Sequence, residues 1–241
     1  MGKGALKRPQ ENPIRVVTEE DDVIPNSAQE EHASPDVIRH LVLLGDALQN
    51  IDLGKGQAES ALVPRPRNPW KLTVIQPPEV LRPGRVRAIP TGVTHIGICV
   101  DGGWAIETSG LLQGRAQSIR DALDTLAAAA DEFEDMFARL IAAATEAGVP
   151  TIVCTLVPAR YVEPYQERVA ATALAIFNDR ILRRTIAAHL SIVELRLICD
   201  EDGDYASETL LSHAGVRKVA NVARSALYDV SRNPGRTRVY F

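Results

Sequence analysis

The chain has 241 residues, enough for one large α/β domain or two small ones, with 45% hydrophobic and 24% charged residues and a net charge of −4. An acidic balance with only 5% aromatic residues argues against a dedicated nucleic-acid binder, and no apolar run approaches the roughly 20 residues of a membrane-spanning helix. The opening "MGKGALKRPQENPIRVV" lacks the apolar core of a signal peptide, so no nucleic-acid or membrane partner is expected and a cytoplasmic location is.

Residues 1–36 set Lys3, Lys7, Arg8 and Arg15 against Glu11, Glu19, Glu20, Asp21, Asp22, Glu30, Glu31 and Asp36, and so carry the whole net charge. With no aromatic residue and no sustained period, this acidic arm is expected to be disordered. From Val37 the chain alternates two patterns. "HLVLLG" (40–45), "KLTVIQ" (71–76), "HIGICV" (95–100), "TIVCTLV" (151–157) and "SIVELRLI" (191–198) are near-continuous apolar runs, the mark of strands covered on both faces. Helical spacing of three and four appears in residues 115–148 (Ile119, Leu123, Leu126, Phe133, Phe137, Leu140), 165–189 (Val169, Leu174, Phe177, Ile181, Ile186) and 214–230 (Val219, Val222, Ala226, Leu227).

Strands alternating with crossover helices predict an α/β fold: a three-layer α/β/α sandwich around a doubly wound, mainly parallel, five-stranded sheet of the flavodoxin-like kind. Such sheets place ligands beyond the carboxyl ends of their strands. Gly45-Asp46-Ala47, Asp101-Gly102-Gly103 and Asp200-Glu201-Asp202 all fall there. Between Ile51 and Gly92, Pro64, Pro66, Pro69, Pro77, Pro78, Pro83 and Pro90 exclude long helices, so only "KGQAESALV" (55–63) suits a short one. Domain organisation reads as an arm over 1–36, a folded domain over 37–230 and a flexible basic tail over 231–241, with Arg232, Arg236 and Arg238.

Cys99, Cys154 and Cys199 lie in or at the end of apolar runs without metal-ligand spacing, and read as buried thiols. His40 and His95 open strands at the edge away from the rim, and His189 ends a helix, so no metal or cofactor is implied. The acidic cluster Asp200-Glu201-Asp202-Asp204 lacks the regular spacing of a calcium loop. "LGKG" (53–56) is too short for a phosphate-binding loop.

Three segments in order, "LLGDALQN", "THIGICVDGGWAIETSGLL" and "LRLICDEDGDYASETLLSHAGVRKVAN", resemble blocks of the SGNH/GDSL hydrolase family over about residues 37–228. "IFNDRI" (176–181) also matches a phrase common in that family. The resemblance implies an acyl-transfer scaffold in which a serine attacks, a histidine held by an aspartate takes its proton, and N–H groups and an asparagine hold the oxyanion. Matched position by position, the nucleophile is Ala47 and the oxyanion asparagine is Trp104. Pro77-Pro78 replaces the donor glycine of the second block, while Ser207 and Leu210 stand where the acid and base belong. Gly45, Asp46, Asn50, Gly102, Gly103, Asp204, Ser212 and Gly215 are retained, so the resemblance implies a vestigial site of Asp46, Ala47, Asn50, Gly102, Gly103, Trp104, Asp204, Ser207 and Leu210.

Loss of the nucleophile alone costs about 10⁶ in turnover, and one lost oxyanion donor about 10²–10³ more. The expectation is a catalytically inactive SGNH-like protein that binds a small-molecule or protein ligand at the strand C-terminal rim. Two alternatives are an active esterase that uses unmatched residues and a scaffolding protein. Ser109 and His213 are the replacement catalysts to consider, although a Ser-Gly turn and a first-turn helical position after an N-capping Ser212 explain them structurally. Trp104 reads as a plug of the old pocket or a stacking platform for a ligand, and both place it near Ala47.

Overall fold

A computed structural model describes residues 15–17, 39–45, 70–75, 89–114 and 116–241. Strands β1 (Arg15–Val17), β2 (Arg39–Leu44), β3 (Trp70–Ile75) and β4 (His95–Ile98) are followed by helices α1 (Gly102–Ser109) and α2 (Ile119–Glu146). Then come β5 (Thr151–Cys154), α3 (Pro164–Ala187), β6 (Ser191–Val193), the single turn α4 (Leu195–Ile198), α5 (His213–Arg232) and β7 (Arg238–Tyr240). The strands form one sheet in the order β1-β7-β6-β5-β4-β2-β3, and every pairing is parallel.

The register explains the continuous apolar runs. Leu41 and Leu43 of β2 point into one core, with Ile152, Val193 and the α5 side chains Val216, Val219, Ala223 and Leu227. Val42 and Leu44 point into the other, with Ile96, Ile98, the α2 residues Phe133, Phe137 and Leu140, and the α3 residues Leu174, Phe177 and Ile181. Alternate side chains leave a strand on opposite faces, so a strand covered twice must be apolar at both. Phe133 and Phe177 stack with centroids 4.6 Å apart and lock α2 to α3. At the edge of that contact, the Glu134 carboxylate accepts from Arg180 Nη1 (2.5 Å) and Arg184 Nε (2.7 Å).

Several expectations need correction. The sheet has seven strands rather than five. The basic tail is not free: Arg238–Tyr240 pairs with β6, Tyr240 is buried, and the Glu194 N–H donates to the Tyr240 carbonyl at 2.9 Å. The Asp229 carboxylate of α5 accepts from both the Arg238 guanidinium and the Tyr240 hydroxyl, which fastens the strand to the helix before it. Three residues of the acidic arm, Arg15–Val17, pair with β7. The rest of the arm, with residues 55–63, lies outside the described residues.

The run 191–198 is a strand only to Val193. Glu194 then caps α4, its side chain accepting from the Arg196 N–H, so apolar content alone overstated the strand. Helix α1, with eight residues, is too short to give a periodic signal in the sequence.

Cys99 and Cys154 face each other on β4's extension and β5, with sulfurs 2.9 Å apart, and both are buried free thiols, as is Cys199. The hydrogen bond to Cys99, with burial, raises the Cys154 thiol well above its ordinary range. Burial beside Asp204 pushes Cys199 up to about 12. Thiols raised in this way, Cys154 and Cys199, are protonated at neutral pH.

Candidate functional site at the strand C-terminal rim

The rim is assembled by close backbone approaches. Gly45 ends β2 with φ of +126°, where a Cβ would lie 2.1 Å from the Cys99 carbonyl oxygen. That position admits glycine alone. The Gly45 N–H donates to the Ile75 carbonyl (2.9 Å), which fixes the direction in which the chain leaves β2. Asp46, Ala47 and Asn50 follow it and lie outside the described residues, as does the expected proximity of Trp104 to Ala47.

After β4, buried Asp101 caps α1 by accepting the Trp104 N–H at 2.8 Å. Gly102 sits against the backbone after β5, where a Cβ would be 2.9 Å from the Val157 carbonyl oxygen. At Gly103 it would be 2.7 Å from Thr209 Cβ. The loop before α5 therefore packs directly on the first turn of α1. Glycines 102 and 103 are spacers for that contact. The structure thus brings together two segments that are a hundred residues apart in the chain.

Within that loop, the Ala206 and Ser207 N–H groups both donate to the Leu210 carbonyl (2.8 and 3.4 Å), so Ser207 and Leu210 share one tight turn. Ser207 is exposed and Leu210 half-buried. Arg160 and Glu208 tie the turn to the segment after β5. The Arg160 N–H donates to the Glu208 carbonyl (2.7 Å), and the Val162 N–H to Glu208 Oε1 (3.3 Å). The Arg160 guanidinium lies over the Tyr205 ring, 5.1 Å from its centroid.

Asp204 is almost fully buried and its groups are committed. Its carbonyl accepts the Ser212 N–H (2.7 Å), and Oδ2 accepts from the Glu201 N–H (3.2 Å) and Lys218 Nζ (3.0 Å). Lys218 also reaches Glu201 Oε2 at 3.0 Å. These carboxylates form a capping box neutralised by a lysine, and they hold α5 to the loop. Ser212 caps α5, accepting from the Gly215 N–H (3.3 Å) and donating to the Gly203 carbonyl (2.6 Å). His213 is then the exposed first residue of the helix. Ser109 donates to the Ile106 carbonyl at 2.6 Å, a back-bond at the end of α1. No described imidazole is hydrogen-bonded to it.

Trp104 is half-buried and packs on the core formed with α2 and α3.

Two buried polar devices tie the ends of the central strands to their neighbours. Asn178 of α3 clamps the chain after β5: Oδ1 accepts the Leu156 N–H (2.7 Å) and Nδ2 donates to the Leu156 carbonyl (3.2 Å). Glu194 accepts from Thr155 Oγ1 (2.8 Å) and from Arg196 Nε (2.7 Å), joining the ends of β5 and β6. Burial pushes the Glu194 carboxyl up, but the hydrogen bonds from Arg196 and Thr155 outweigh it and hold it below the usual range. The "IFNDRI" phrase was the signal for Asn178. Nothing in spacing marked the Thr155–Glu194 pair.

No family model matches the chain, and no curated protein sequence does. Solved structures do. A protein from Slackia heliotrinireducens described as an SGNH hydrolase superposes with a TM-score of 0.52 at 14% identity, covering 80% of this chain and 100% of its own. A carbohydrate acetylesterase from Sinorhizobium meliloti gives 0.51 at 10% identity (81% and 99%). An extracellular lipase from Streptomyces rimosus gives 0.50 at 10% identity (82% and 99%). The chain has the SGNH-hydrolase fold. Identities this low carry the fold alone.

Proposed function

We propose that this SGNH-fold chain is a binding protein without hydrolytic turnover, its ligand held at the strand C-terminal rim. One observation carries the reading: among the described rim residues no imidazole is hydrogen-bonded to a hydroxyl, and the Ser109 hydroxyl is committed to a backbone carbonyl. Leu210 occupies the turn where the resemblance requires an imidazole, and Ser207 stands beside it in place of the carboxylate. Ser109 bonds to a carbonyl, His213 caps nothing and faces solvent, and Asp204 is buried under Lys218. An alanine at position 47 removes the attacking group itself. General-base catalysis needs donor and base within about 3 Å of each other in a plausible pose.

The test is hydrolysis of short-chain p-nitrophenyl esters at high protein concentration. The expected result is a rate equal to the buffer blank with the wild-type chain. Turnover above the blank that disappears in Ser109→Ala or His213→Ala would overturn the proposal.

A further inference from the structure

Strands β4 and β5 run parallel with Ile98 opposite Val153, so the next residues along, Cys99 and Cys154, meet across the ladder. Neighbouring strands lie about 4.8 Å apart, inside the roughly 4.4–6.8 Å Cα separation that a disulfide spans. Both side chains enter the layer of α5, among Leu43, Ile152, Val193 and Leu195. Their sulfurs are 2.9 Å apart, and both are free thiols. From that contact, roughly 0.9 Å of travel reaches the length of a sulfur–sulfur bond, about 2.05 Å. Cys199 lies in the same layer, but its sulfur makes no such contact among the described residues.

The contact has a direction. The hydrogen bond to Cys99 raises Cys154, so the shared proton sits on Cys154 and the Cys99 sulfur accepts it. Cys99 therefore takes the attacking role, and Cys154, which keeps its proton, is placed to resolve.

We propose that the Cys99–Cys154 pair is a modification site at which a hydroperoxide installs a disulfide between the ends of β4 and β5. Cys99 attacks one peroxide oxygen: an S–O bond forms, the O–O bond breaks, and the thiol proton leaves with the released oxygen as water. Cys154 then attacks the Cys99 sulfur: the S–S bond forms, the S–O bond breaks, and a second water departs with the Cys154 proton. Two thiols lose two electrons, and the peroxide gains them. Burial of both sulfurs restricts the oxidant to one little larger than water, which hydrogen peroxide is.

The bond fastens two strands whose ends carry the rim. The Cys99 N–H donates to the Leu44 carbonyl of β2 (2.9 Å), and the Cys99 carbonyl is the group that bears on Gly45. Thr155, the residue after Cys154, donates to Glu194. The pairing needs no ligand at the rim, so it goes beyond the binding reading and does not depend on it.

Treatment of the folded full chain with hydrogen peroxide, then alkylation in urea and peptide mass analysis, tests the proposal. Alkylated cysteines fall from three to one, with Cys99 and Cys154 recovered in one linked peptide and Cys199 alkylated. Dithiothreitol restores all three. Cys154→Ser yields no linked peptide and instead holds Cys99 as a sulfenic acid that dimedone traps. Peroxide added to the chain unfolded in concentrated urea gives mixed pairings that include Cys199, because the folded geometry no longer selects the pair. Three alkylated cysteines after peroxide treatment, a linked peptide containing Cys199 from the folded chain, or a wild-type chain that stops at sulfenic acid would each overturn the assignment.

Discussion

At the N-terminal edge of the sheet, imidazoles and hydroxyls meet. His40 Nε2 lies 2.9 Å from Thr73 Oγ1, and His95 bridges Thr94 Oγ1 (2.9 Å) and Ser231 Oγ (2.8 Å). At the C-terminal rim, where a doubly wound sheet presents ligands, no described imidazole meets a hydroxyl. The Ser231 hydroxyl has one proton, and the Leu227 carbonyl, 2.6 Å away, takes it. His95 then donates from Nε2 to Ser231 and accepts from Thr94 at Nδ1, a neutral tautomer assigned from the network. Burial, with the positive charge of Arg39, lowers its pKa to about 4.

Such a group is a bracket between β4 and α5, not a base. The contrast teaches that a serine–histidine contact acquires chemistry from its place in the fold and from a pKa near the working pH. Here the contacts persist at the structural edge, while the rim holds glycines, a tryptophan and committed carboxylates.

The largest effect that would sharpen this contrast is at the rim. Gly45→Ala forces a Cβ onto the Cys99 carbonyl at a left-handed φ, and is expected to cost about 3 kcal/mol or more in urea unfolding. Asn178→Leu strips two hydrogen bonds from buried backbone groups and should cost about 2–3 kcal/mol. Trp104→Ala, at a half-buried packing position, should cost about 2 kcal/mol; no loss of stability would mean that the indole does not plug the rim.

At the opposite edge the effect is a pH dependence. The folded-state pKa of His95 lies below the unfolded value of 6.5, so its contribution is complete above pH 6.5 and is lost as pH falls toward 4. The urea midpoint should therefore drop between pH 7 and 4.5, and drop less in His95→Asn. Smallest of all, Ala47→Ser is expected to leave ester hydrolysis at the buffer rate, because no described imidazole at the rim is hydrogen-bonded to a hydroxyl. Turnover in that variant would place a working imidazole at the rim and erase the difference between the two edges.

Much of this was legible in the chain. Runs such as "HLVLLG" and "TIVCTLV" announce strands buried twice, since they are almost continuously apolar and carry no charge. Long helices announce themselves by spacing, and Ser212 and Gly148 mark helix ends through capping chemistry and a φ of +64° at the glycine. Short elements were not legible. Three residues, Arg238–Tyr240, become a strand because β6 offers an unpaired edge and Asp229 holds two of their side chains, neither of which is a property of the tail itself.

Ile119 and Leu123 carry the periodicity of a core face, yet stand in solvent because α3 covers only the later turns of α2. At the rim, the residues at positions 104 and 210 are visible as letters. That Gly103 exists to admit Thr209, or that Asp204 serves Lys218 and α5, is not.

What the amino-acid order determined by itself is local and periodic: which segments extend, which coil and where they stop. Hydrophobic period and capping act over a few residues, so they can be read in one dimension. Tertiary structure alone decided which distant groups touch: the loop before α5 on the first turn of α1, His95 beside Ser231, and Cys99 against Cys154. Those contacts arise from the packing of separate elements across the sheet, and no short stretch of sequence contains both partners.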